Sequence, residues 1–233
     1  MRSVPIKSAE RQADAMLLSV RELLVGQRTQ LVNALRGHAA EFGLVTRTGV
    51  KGVTQLLADA ASDPSLPGPA ADALALLGQE IDRLEACLVE IDAQLLARHK
   101  ATPTSKLLAE VPGIGPISAL SLVLRVDAAQ FQSGRHFAAW LGLTPRDHST
   151  GGKQRLGGIS RAGNERLRQL LVLGATAVIS HAKPGRASAW LLALLERRPR
   201  KLAAVALANK MARVVWAMMT SGEVYRHTTP AAA

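Results

Sequence analysis

Between Leu74 and Leu95, apolar residues recur at Leu74, Leu77, Ile81, Leu84, Leu88, Ile91 and Leu95, alternately three and four positions apart. That spacing, held for three heptads, draws one apolar line along an α-helix, and a helix with such a seam must lay it against another helix. The seam lies in residues 70–98, a segment without proline. At ~1.5 Å per residue this predicts a helix roughly 43 Å long. Residues 8–42 predict a partner. Ser8 stands where an N-cap belongs, Leu17, Val20, Leu24, Leu31, Ala34 and Leu35 make an apolar stripe, and Gly43 follows as a C-terminal stop. The connector, residues 43–69, holds a short helical piece around Val53–Ala60 and the breaker run Asp63-Pro-Ser-Leu-Pro-Gly-Pro69. Two long helices with so short a connector fold back as an antiparallel hairpin. Such a hairpin is a rigid arm or a dimerisation device; a plain helical layer on the rest of the chain is the simpler alternative.

The expected fold is mainly α. A long antiparallel helical hairpin (coiled coil), residues 1–105 including a polar linker at Ala101–Ser105, is followed by a compact helical domain, residues 106–233. Helices are predicted there at about 104–110, 116–126, 133–141, 161–181, 187–197 and 199–220, with a loop or small hairpin at 146–159 and a frayed tail after Tyr225. Composition agrees, because only 3% of residues are aromatic while 48% are apolar; sheets favour β-branched and aromatic side chains. The single cysteine, Cys87, excludes an internal disulfide and a cysteine-based zinc site and fits a cytoplasmic location. No signal-peptide pattern follows Met1, and no uninterrupted apolar run approaches ~20 residues.

Charge divides the chain. Residues 1–100 carry 11 Lys and Arg against 12 Asp and Glu, whereas residues 101–233 carry 18 against 6. The whole excess of +11 therefore belongs to the second half, which calls for a polyanionic partner such as DNA. Two stretches there have phosphate-binding chemistry. Leu108–Leu120 runs through Pro112-Gly-Ile-Gly-Pro116 between two apolar helices, as in a helix-hairpin-helix motif. Gly113 and Gly115 would bring backbone amides close to a phosphate, and Ile114 would tuck between the helices. The second stretch, 151–171, sets Lys153, Arg155, Arg161, Arg166 and Arg168 around one serine, Ser160, behind two Gly-Gly pairs. Spacing alone reads Ser160 first as the N-cap of a helix starting there, and only second as a nucleophile. Asp147 and His148 are neighbours in sequence without forming an evident Ser-His-Asp set. Lys201, Lys210 and Arg213 could track a nucleic-acid backbone, and Trp140, Trp190 and Trp216 are expected in the core. The carboxylates of the basic half are scattered, so no metal site is assigned to this chain.

Val111-Pro-Gly-Ile-Gly-Pro116, Phe137-Ala-Ala-Trp-Leu-Gly-Leu-Thr-Pro145, Ser149-Thr-Gly-Gly-Lys153, Gly158-Ile-Ser-Arg-Ala-Gly-Asn164 with Leu167-Arg168, Lys210-Met-Ala-Arg-Val-Val-Trp216 and Tyr225 occur in that order. Upstream stand Val4-Pro-Ile-Lys7, Arg21-Glu-Leu-Leu-Val-Gly-Gln-Arg28, Leu35-Arg36 and Glu41-Phe-Gly43. Together they resemble the coiled coil and C-terminal domain of the IS one-ten family of bacterial insertion-sequence transposases. The resemblance covers essentially the whole chain. It implies a serine that forms a covalent phosphoserine link to cleaved DNA, and that serine falls on Ser160, which turns the reading from cap toward nucleophile. It also implies dimers or tetramers, an element-encoded guide RNA, and an N-terminal acidic domain of RNase H type that binds magnesium. That domain is absent from the sequence, so magnesium is expected only where the domain is supplied, and the chain is read as a fragment or a separately started product. The alternative is a non-catalytic, dimerising nucleic-acid-binding fragment that modulates an intact transposase. A tyrosine recombinase using Tyr225 is the weakest reading, as no ordered Arg and His set surrounds it.

Overall fold

A computed structural model describes residues 6–47, 49–153, 155–185 and 187–226. Val4, Pro5 and the tail from residue 227 lie outside the described residues. Helices dominate, as the composition requires, and the chain forms two compact units, residues 13–95 and residues 96–226 with the stretch up to Gln12.

The first unit contains most of α1 (Ala9–Glu41), α2 (Val50–Ser62) and most of α3 (Gly68–Ala101). Both ends of α1 obey their sequence signals. The Ser8 hydroxyl accepts the Arg11 N–H at 3.2 Å, and Gly43 stops the helix at φ 79°. The α3 seam is buried at Leu74, Ile81, Leu84, Leu88 and Leu95 and half-buried at Leu77 and Ile91. The facing line on α1 departs from the expected stripe only in part: Leu35 is buried and Leu17, Leu24, Leu31 and Ala34 are half-buried, while Val20 is exposed and Ala15, Leu18 and Ala39 join the buried line. Two arginines explain the shift. Arg21 pairs with Asp92, and Arg28 lies 3.9 Å from Glu85. Seven residues forward on α1 match seven residues back on α3, which fixes the helices as antiparallel. Apolar residues alone hid this register because two of its positions are charged. Near the connector, Leu35 and Ala39 meet Val53, Leu56 and Ala60 of α2 and Leu74 and Ile81 of α3 in one core.

The stretch expected as a linker, 101–105, is ordered helix-to-helix structure. Only Thr102 separates α3 from α4 (Pro103–Ala109), and its hydroxyl donates to the Arg98 carbonyl at 2.8 Å. Ser105 is buried with its hydroxyl 2.8 Å from His99 Nδ1. Burial holds the His99 imidazole below its ordinary pKa, and Lys106 and Lys100 add to the effect.

The second unit is built on α9 (Arg200–Ser221). Its inner face is Ala203, Ala204, Ala208, Met211, Ala212, Val215 and Met218, all buried. Alanines let neighbouring helices come close, and α4, α6 (Gly134–Trp140), α7 (Glu165–Ser180) and α8 (Ala189–Arg197) all pack on α9. By length and composition α9 could cross a membrane; its apolar face is instead the floor of this core. Phe131, Phe137 and Trp140 cluster with ring centres 5.1 to 6.1 Å apart. Trp216 donates its indole N–H to the Ala128 carbonyl at 3.1 Å. Trp190, expected inside, is 39% exposed.

The Pro112–Gly115 turn joins α4 to α5 (Pro116–Arg125) and presses on α7. A methyl group on Gly174 of α7 would stand 1.9 Å from the Gly113 carbonyl oxygen, so the two backbones touch. Gly174→Ala tests this contact. Helix propensity alone would favour alanine by about 1 kcal/mol. Overpacking costs typically ~1–3 kcal/mol, and more against a backbone atom. The expected outcome is a urea midpoint lowered by a net ~1–3 kcal/mol of stability. A raised midpoint would show that the turn gives way freely.

Candidate nucleic-acid interface

The stretch around Ser160 begins as a strand. β1 (Pro145–Asp147) pairs antiparallel with β2 (Leu156–Ile159), and Thr150 bridges to Lys153 across Gly151-Gly152, both at positive φ. This tight turn is what two adjacent glycines favour. Both strands are exposed almost throughout. The hairpin carries Arg146, His148, Lys153 and Arg155, with one carboxylate, Asp147. Asp147 is held below the usual carboxylate range by the Ser149 hydroxyl and then by the Ser149 N–H. It pins the start of the loop; the Ser149 hydroxyl in turn accepts the Arg155 N–H at 3.0 Å. An exposed two-stranded ribbon with this charge balance is marginal by itself, and its chemistry matches a phosphate backbone.

Ser160 follows β2 directly. Its N–H donates to the Thr144 carbonyl at 2.9 Å, extending the hairpin ladder. It is therefore no helix cap. The helix start expected near 161 falls at Glu165, where the Asn164 side chain accepts the Leu167 N–H at 3.0 Å. Asn164 before an acidic first-turn residue is an ordinary N-cap signature, and it was legible in the sequence. The half-buried Ser160 hydroxyl accepts a long contact of 3.5 Å from the Ala162 N–H. Among the described residues, no histidine or carboxylate hydrogen-bonds to it.

What holds Ser160 is a clamp between residues 160–164 and the turn after α6. Arg161 donates its N–H to the Gly142 carbonyl at 3.2 Å. Its φ of 56° is the only positive value among the described non-glycine residues. Such backbone costs of order 1 kcal/mol or more and persists where surroundings enforce it. Here they do: a methyl on Gly163 would stand 1.9 Å from the Trp140 carbonyl oxygen, and one on Gly142 would stand 2.4 Å from the Ala162 nitrogen.

Arg168 closes the clamp. It was expected to bind phosphate, yet it is 9% exposed, and its Nη1 donates to the Leu141 carbonyl at 3.1 Å and the Ala162 carbonyl at 2.7 Å. Two residues that sequence reasoning overlooked add to this. Arg146 donates to the Ser160 carbonyl at 3.2 Å, and Asn209 of α9 donates to the Leu143 carbonyl at 3.2 Å. Their partners are backbone atoms distant in sequence, so no local pattern signals them.

The expected phosphate contacts therefore separate. Arg161 is exposed beside Ser160. Arg155 and Lys153 lie further along the ribbon, up to roughly 16 and 23 Å from Ser160 at ~3.3 Å per residue. Gly113 faces α7 and is packed, whereas Gly115 is exposed as the N-cap of α5. The turn meets α7 at Gly174, roughly 14 Å along the helix from its start beside the serine loop. Among the described residues, no group of three or more His, Cys, Asp or Glu side chains gathers where it could hold a metal ion.

Residues 105–190, which span the turn, the hairpin and the clamp, match the model of the Transposase IS116/IS110/IS902 family. A putative transposase of Sinorhizobium fredii is 53% identical over 97% of this chain and 59% of its own length. A probable family 20 transposase of Pseudomonas aeruginosa is 47% identical over 97% of this chain and 69% of its own length. The chain belongs to the IS116/IS110/IS902 transposase family. A transposase for insertion sequence element IS1111A of Coxiella burnetii is 38% identical, over 97% of this chain and 64% of its own length. This family member thus spans about three fifths of the first of these relatives.

Within this transposase-family chain, removing Arg168 should loosen the clamp. Arg168→Leu leaves two carbonyls without their donor, at about 1–3 kcal/mol each. The expected loss is ~2–6 kcal/mol in denaturant unfolding, with faster amide exchange at residues 160–163. Lys153→Ala should stay within about 0.5 kcal/mol of the parent. Equal stability for both variants would contradict the structural role of Arg168.

Proposed function

We propose that this chain is the serine-bearing, DNA-handling part of an insertion-sequence transposase. In this reading, Ser160 cleaves and rejoins DNA through a serine–phosphate intermediate. The observation that carries the reading is the placement of Ser160: a half-buried hydroxyl on a clamped loop, at the foot of an exposed basic ribbon. A serine nucleophile needs a fixed position more than mobility, because a misplaced attacking atom forfeits most of the rate.

The Ser160 Oγ attacks phosphorus and forms the O–P bond. The bond to the leaving strand breaks, the leaving oxygen takes a proton, and a strand hydroxyl later reverses the attack. Arg161 supplies charge next to the serine, while Arg146, Lys153 and Arg155 hold the backbone along the ribbon. Gly115 and the first amides of α5 offer a second phosphate contact. Among the described residues, the groups hydrogen-bonded to Ser160 Oγ include no acceptor for its proton, and magnesium belongs with the acidic domain that the family resemblance implies. A guide RNA and a dimer or tetramer complete the proposed assembly, with the α1–α3 hairpin as its rod, and cytoplasm as its location. The absence of a hydrogen-bonded base at Ser160 among the described residues favours one second reading: a binding fragment that modulates an intact transposase.

Two measurements separate the readings. Ser160→Ala should leave DNA affinity within about twofold and abolish covalent protein–DNA adducts when the acidic domain is supplied; adducts that persist would remove Ser160 as nucleophile. If the unaltered serine yields none under those conditions, the fragment reading stands. Lys153→Ala and Arg155→Ala should each weaken DNA binding and reduce the slope of log affinity against log salt by about 1. An unchanged slope would place DNA away from the ribbon.

A further inference from the structure

Trp190, the second residue of α8, is 39% exposed, and Lys210 Nζ of α9 lies over one face of its ring, 4.4 Å from the centre. Trp190, Lys210 and the half-buried Tyr225 line a cleft whose floor includes Leu191 and Met211 and whose rim includes Pro112. Its volume, about 140 Å³, is roughly ten times what one buried water needs. Among the described residues, no carboxylate lines it.

These features specify a ligand. An indole left over a third exposed, with the Lys210 ammonium over one face, lies in a unit that buries its other large aromatic rings more deeply and keeps its remaining flat surface without an aromatic partner among the described residues. A lysine held in a largely apolar cleft without a carboxylate favours an anionic group beside that surface. One chemical unit offers a flat ring joined to an anion: a nucleotide. A base inside a duplex keeps its faces covered by its neighbours, so only an unpaired one can enter. An acidic peptide would satisfy Lys210 and leave the indole face uncovered. Pro112 connects the cleft to the α4–α5 turn, so a strand whose phosphate meets the turn can reach the cleft with a neighbouring base.

We propose that this cleft stacks one unpaired nucleotide of a nucleic-acid strand, its base against Trp190 and its phosphate toward Lys210. The proposal is independent of the chemistry at Ser160 and of duplex binding by the ribbon.

The test uses the full chain with three probes of about ten nucleotides: oligodeoxythymidylate, oligouridylate and a DNA duplex. Single strands should quench the intrinsic tryptophan fluorescence, and Trp190→Leu should remove that quenching. Base–aromatic stacking is worth ~1–3 kcal/mol per base, so Trp190→Leu should weaken single-strand binding roughly tenfold. Trp190→Phe, which keeps a ring, should stay within about threefold of the parent. Duplex affinity should be unchanged in both variants, which also reports that they fold. Lys210→Gln should weaken single-strand binding and lower its salt slope by about 1. Whichever strand binds tighter identifies DNA or RNA as the source. Unchanged single-strand affinity in Trp190→Leu, equal losses for Leu and Phe, or equal losses on duplex and single strand would each overturn the proposal. Should Trp190→Leu fail to fold, an unchanged affinity and salt slope in Lys210→Gln would do the same.

Discussion

The guanidinium of Arg168 holds together two backbone segments that the chain itself keeps far apart. It donates to the carbonyls of Leu141, at the end of α6, and Ala162, in the loop that follows Ser160. Burying a cation costs several kcal/mol unless strong acceptors meet it. Here that cost is offset by oxygens on both sides of the joint, so the charge is favourable only when the two segments are together. The clamp enforces the left-handed backbone at Arg161 and the contacts of Gly142 and Gly163, and it gives the serine one place to be.

This arrangement divides the basic half of the chain by depth. One cation, Arg168, works inside on backbone, and Arg146 reaches back to the Ser160 carbonyl from the ribbon. Lys153, Arg155 and Arg161 remain at the surface, where a phosphate can reach them. A count of positive charges around a serine mixes these roles. A substitution series would separate them, because a buried hydrogen-bonded cation acts on stability and an exposed one on the salt dependence of binding.

The same logic governs the long helices. Their apolar seam was legible on α3, where every seam position from Leu74 to Leu95 is a hydrophobic residue. On α1 the apolar pattern misplaces Val20, because Arg21 and Arg28 occupy positions that a purely apolar pattern skips. The cap of α7 was misassigned for a related reason. Ser160 and Asn164 are both capping residues, and the choice between them turned on whether β2 continued to Ser160, which depends on its bond to Thr144. Trp190 was expected inside on size alone, yet the space on α9 is taken by alanines and by the helices they admit.

By itself the sequence determined the helical class, the antiparallel hairpin, the basic second half and the order of motifs that marks the family. All of these follow from periodicity, composition and local turn chemistry, which are properties of neighbours along the chain. Only the tertiary structure decided which cations stay exposed and which are buried, that Gly113 packs on Gly174, and that Ser160 follows a strand in place of starting a helix. Those outcomes depend on hydrogen bonds and close contacts between residues tens of positions apart. A one-dimensional pattern carries no record of which carbonyl a buried arginine will meet.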